Sequence, residues 1–107
     1  MRISKEVKSI LQSCLSIINI ELCCCNNTVK KIRLQKQLDN LSSFVDKPSA
    51  FDVPPKEAIK AMKEKKQWLK RYFKMAKEYK YSESSITSAN KTLNIVNKFL
   101  TNYKKVT

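Results

Sequence analysis

Residues 54–80 read PPKEAIKAMKEKKQWLKRYFKMAKEYK. Wrapped at 3.6 residues per turn, they divide into two opposed faces. Ala58, Ala61, Met62, Leu69, Tyr72, Phe73, Ala76 and Tyr79 fall on one face. Lys56, Lys60, Lys63, Lys70, Lys74 and Lys77 fall on the other, with Gln67 in the single gap. The basic positions recur every three or four residues, so they form a continuous file on the order of 30 Å long. A stretch with this period is a helix with one side for a core and one side for solvent or an anion. The rest of the chain must then supply the apolar surface on which the inner side packs.

The composition suits that requirement. The chain has 107 residues, 42% of them hydrophobic, no glycine and three prolines. Tight hairpins, bulges and phosphate-cradling loops want positive φ, for which glycine is the default. Helices manage without it if asparagine takes the left-handed positions at their ends. The length fits one domain over 1–107 with a modest core.

Upstream of the central helix, Pro48 and Pro54-Pro55 bar regular helix through residues 46–55, the one clear loop. Phe51 and Val53 are apolar enough to pin it to the core. Before it, Leu34, Leu38, Leu41 and Val45 mark a helix over 28–45. The first helix spans 4–25, with Ser4 as its cap and Val7, Leu11, Cys14, Ile18, Leu22 and Cys25 as its stripe. Ile10, Leu15 and Ile17 widen that stripe, which makes this helix the expected most buried element. Val29 and Ile32 continue its phase, whereas Leu34 to Val45 lie about half a turn round. A break at Asn26-Asn27-Thr28 resolves the conflict, with Asn left-handed and Thr28 capping. Lys30 and Lys31 then sit near the positive end of the second helix's dipole, which is unfavourable.

Downstream, residues 82–85 break the chain again. Ile86, Ala89, Leu93, Val96, Leu100 and Tyr103 then step by three and four along a helix over 83–105. Lys104 and Lys105 suit its C-terminal dipole. The seam fits either a bundle face or a homodimer contact. The expected fold is all-α, a compact antiparallel bundle of about four helices at 4–25, 28–45, 54–80 and 83–105.

Catalysis is poorly provided for. Histidine is absent, so the commonest general base and metal ligand is missing. Without glycine neither the P-loop nor the dinucleotide fingerprint can form. The nine acids are scattered and make no spaced pair. Cys23, Cys24 and Cys25 point about 100° apart on a helix, so they cannot converge on one zinc. The expectation is a non-enzymatic protein with no cofactor, no metal and no small-molecule substrate, in which Cys14 and Cys25 act as small hydrophobes. The apolar run over 10–25 carries Gln12, Ser13, Ser16, Asn19 and Glu21. It reads as too short and polar to span a bilayer, and no cleavage site follows it, so a cytoplasmic location is expected.

Charge is the strongest functional signal. The net charge is +13, from 22 Lys plus Arg against 9 Asp plus Glu. Between Lys56 and Lys80 there are ten basic residues and three acids. An array of this kind suits nucleic-acid phosphates. Lys56, Lys60, Lys63, Lys70, Arg71, Lys74 and Lys77 are the candidate contacts, extended by Lys30, Lys31 and Arg33 if these lie alongside. Only Arg71 and Gln67 on this face are suited to reading bases, so little sequence specificity is expected. The alternative is a regulator, of the kind carried by phages or other mobile elements, that docks on an acidic protein. A membrane surface is the weakest of the three partners, and an ordinary solvated lysine face needs no partner at all. Trp68 is expected on the rim of the core. If it is exposed, Trp68 and Met75 beside Arg71 and Tyr72 would make a protein-contact rim.

Overall fold

The computed structural model describes residues 1–103. Four α-helices follow one another: α1 (Lys5–Cys24), α2 (Thr28–Asp46), α3 (Lys56–Tyr79) and α4 (Glu83–Tyr103). They form a helical bundle, as expected. The described part of α4 ends at Tyr103, and the expected extension to residue 105, with Lys104 and Lys105, lies outside the described residues.

The helix ends show how a chain without glycine turns corners. Ser4 caps α1, its Oγ accepting from the Val7 N–H at 3.1 Å. The cap of α2 is Asn27, whose Oδ1 accepts from the Lys30 N–H at 3.1 Å, and Thr28 is already the first helical residue. The turn between α1 and α2 uses no left-handed asparagine. Cys25 is extended, and its N–H bonds back to the Leu22 carbonyl. The only positive φ among the described residues is at Lys80 (φ 51°). There the Tyr81 N–H reaches the Ala76 carbonyl at 3.2 Å and closes α3. A lysine therefore occupies the position glycine usually takes.

Helix α3 starts one residue past the proline pair, with Pro55 as its cap. The preceding loop holds a short 3-10 turn, Pro48–Ala50, where proline takes the first position without losing a needed N–H. Phe51 follows it and packs edge-on against Phe44, with ring centroids 5.3 Å apart. The loop is thereby fixed to the core.

One core runs through all four helices. Leu11, Leu41, Phe44, Met62, Leu69 and Val96 are among its completely enclosed side chains. Phe44 and Ile59 belong to it although neither lay on an expected stripe. The helices associate mainly as two hairpins, α1 with α2 and α3 with α4, which then pack on each other. The body is flat, 40 × 36 × 22 Å, with a radius of gyration of 14.9 Å. A chain of this length commonly has about 13 Å.

The free end of the α1–α2 hairpin corrects the expectation that the first helix is the most buried. Val7, Ile10, Leu11 and Cys14 are buried, but Ile17 is 51% exposed and Ile20 64%. Across the turn, Val29 and Ile32 are 68% and 67% exposed. Helix α3, with six buried residues, is buried more deeply. By length and composition α1 is also the one described helix apolar enough to cross a membrane, with a mean hydropathy of 1.4. Core helices of folded proteins commonly share this property. Tyr79, assigned to the inner face of α3, is exposed as well, and Tyr81 closes the α3–α4 turn against Tyr72 instead.

Candidate nucleic-acid interface and an adjoining groove

The outer face of α3 carries Lys56, Lys60, Lys63, Lys70, Lys74 and Lys77, every one of them exposed. From Lys56 to Lys77 the file is about 32 Å long at 1.5 Å per residue. Glu57 and Glu64 lie to one side of it, and Glu78 stands at its C-terminal edge, one turn beyond Lys74. Glu57 is already engaged, accepting from the Asn40 Nδ2 at 2.9 Å. The file is continuous because the opposite face of α3 is committed. Ala58, Ala61, Met62, Leu69 and Ala76 are buried against the other helices, which fixes the rotation of α3 about its axis.

Lys30, Lys31 and Arg33 are exposed on the first turns of α2. The structure brings two of them to α3. Lys30 and Arg33 line the same groove as Lys60 and Arg71. Lys31 does not line it, and neither do Lys56, Lys63, Lys70, Lys74 or Lys77.

The groove has a volume of about 880 Å³ and runs between the α1–α2 hairpin and α3. Ile17, Ile18, Leu34 and Ala61 supply apolar lining, with Val29 and Trp68 also facing it. Its polar lining mixes the basic residues named above and Lys65 with Glu21, Glu57 and Glu64. Trp68 is 49% exposed. Its ring stacks on Tyr72 at 5.5 Å, and the Lys65 ammonium lies 4.6 Å from the ring centroid, a cation–π arrangement. Lys65, which the helical phase directs towards the apolar face, resolves the conflict by lying across the indole. Trp68 thus stands on the rim, half in and half out. Met75 is exposed too but does not line the groove.

Cys14 sits at the groove and donates weakly to the Ala61 carbonyl at 3.9 Å. Burial pushes its thiol above the ordinary value, Lys65 pulls it back and Glu64 pushes it up again. It is held protonated at neutral pH and is no nucleophile. Cys23 and Cys24 are exposed free thiols, and Cys25 is half-buried. Among the described residues no three His, Cys, Asp or Glu side chains come together as metal ligands would.

The groove was not foreseen from sequence. Its signal was present in the phase mismatch that sets Val29 and Ile32 apart from Leu34 to Val45. The mismatch does more than require a break in the chain: it leaves Val29 and Ile32 uncovered. Comparison with known protein families, with curated proteins and with solved structures finds no match to this chain.

Proposed function

We propose that the protein binds nucleic acid without catalysing a reaction, through phosphate contacts from the outer face of α3, and with little sequence preference. The observation that carries this is the file of six exposed lysines along one face of α3, interrupted only at Gln67, with Glu57 and Glu64 off to one side and Glu78 at its C-terminal edge. A polyanion is met best by one sign of charge in a line. Lys30 and Arg33 widen the footprint across the groove mouth towards Lys60 and Arg71. Lysine suits this task, since a point charge on a flexible stem follows a phosphate backbone without demanding a fixed geometry.

The test is binding to a fluorescently labelled random-sequence duplex, followed by anisotropy over a salt series. The expected slope of log K against log salt is about −4, as for four to five neutralised phosphates. Unrelated duplexes should bind within a few-fold of one another. Lys63→Glu with Lys70→Glu and Lys74→Glu should abolish binding and leave the helical circular dichroism unchanged. Undetectable binding at low salt would refute the proposal.

A further inference from the structure

The groove beside Trp68 has a different character from the lysine file. Its lining is apolar and its charges are mixed, so a sugar–phosphate backbone would meet Ile17, Val29 and three carboxylates there. The apolar surface is also uneconomic for an isolated bundle. Ile17, Val29 and Trp68 are each about half exposed or more, and all three face the same space of about 880 Å³.

We infer that this groove is the docking site of an amphipathic helix with acidic flanks, contributed by a partner protein. A helix laid in a groove offers apolar anchors at i, i+3, i+4 and i+7. Those anchors would cover Ile17, Val29 and Trp68, and a half-exposed tryptophan beside an arginine is the composition of a binding hot spot. The flanks are set by charge. Lys30 and Arg33 stand on the α2 side of the groove and Lys60, Lys65 and Arg71 on the α3 side, against Glu21, Glu57 and Glu64. Glu57 accepts from Asn40 and keeps its charge, so the balance is five cations against three carboxylates. Carboxylates on both flanks of the incoming helix would therefore find cations on both walls. A second copy of this chain is disfavoured as occupant, because it would bring another +13 against the same surface. The two surfaces share Lys30, Arg33, Lys60 and Arg71 at the groove mouth, but the lysines at 63, 70, 74 and 77 belong to the nucleic-acid file alone and do not line the groove.

The probe is a pair of labelled helical peptides of about five turns, roughly 18 residues. They share one leucine stripe and differ only in carrying Glu or Lys on the flanks. The Glu peptide should bind saturably and at least about tenfold tighter than the Lys peptide. Ile17→Asp and Val29→Asp should each weaken it by about tenfold or more. Both positions are exposed, so these variants keep the core, and circular dichroism checks that they do. Lys63→Glu and Lys74→Glu should leave peptide affinity within about twofold, since surface charges off the site act weakly. The same two changes should weaken DNA binding, so failure of one proposal is distinguishable from failure of the other. No saturable binding of the Glu peptide, equal binding of both peptides, or indifference to Ile17→Asp would each overturn the inference. So would loss of peptide binding in Lys63→Glu with Lys74→Glu, which would put the peptide on the lysine file. Sedimentation showing a dimer that Ile17→Asp dissolves would overturn it in favour of a second copy.

Discussion

Lys30 occupies a place that helix energetics disfavour. It is the third residue of α2, where the first-turn N–H groups carry partial positive charge and α2 has no acid to meet it. Asn27 already caps the Lys30 N–H, so a glutamate at position 30 would complete a capping box. Lys30→Glu is expected to stabilise the fold by about 0.5–1 kcal/mol, read as a raised urea midpoint. The same change should weaken duplex binding, read by anisotropy. A gain in stability with a loss in binding is what a residue held in place for function produces. If affinity is unchanged, Lys30 lies outside the footprint. Lys80 is another residue at odds with its position, since left-handed backbone disfavours a side chain with a Cβ. The sequence showed that some residue other than glycine had to turn these corners. It could not say which, because the choice depends on how α3 and α4 dock.

At the scale of the element, most of α3 was legible because its two faces differ in kind. Ile59 is buried and Tyr79 exposed against the expected division, Lys65 points from the apolar side across Trp68, and the packing of Tyr81 on Tyr72 closes the α3–α4 turn. Helix α1 was legible only in its first half. Its period is as regular as that of α3, but periodicity reports which residues share a side and not whether anything covers that side. Past Cys14 only Leu15 and Ile18 still pack partly against the core, and Ile17 and Ile20 stay uncovered. The same limit hid the groove, whose walls come from three helices far apart in sequence. The loop was legible as a loop, yet the anchoring of Phe51 on Phe44 was not, because Phe44 falls off the Leu34–Val45 stripe. That contact has a measurable weight. Phe44 is completely buried, so Phe44→Ala should cost about 3–5 kcal/mol. Ile20→Ala, a comparable truncation at the uncovered end of α1, should stay within about 0.5 kcal/mol. Urea denaturation of the two variants checks the contrast, and a large loss at Ile20 would mean that the hairpin end is covered in solution.

The whole molecule is two hairpins joined by a pinned loop, and this arrangement determines how its surfaces are shared. Each hairpin alone would leave its apolar side open. Together they enclose Leu11, Leu41, Met62 and Val96. The groove lies where the α1–α2 hairpin meets α3, and the rotation of α3 that buries Met62 turns its lysines outward. One packing decision thus sets both candidate surfaces. The pairing of each helix with its neighbour in the chain also governs time. Contacts between sequence neighbours need little loop closure, and helical proteins dominated by them fold within milliseconds or faster. Each hairpin should form early, with the docking of the two as the slower step. Rapid-mixing refolding is expected to give a single exponential on that scale. Phe51, in the loop that joins the hairpins, should show a low φ-value, because its contact with Phe44 waits for the loop to settle. A cell that must make this highly charged chain beside polyanions would then expose its unfolded lysines to them only briefly.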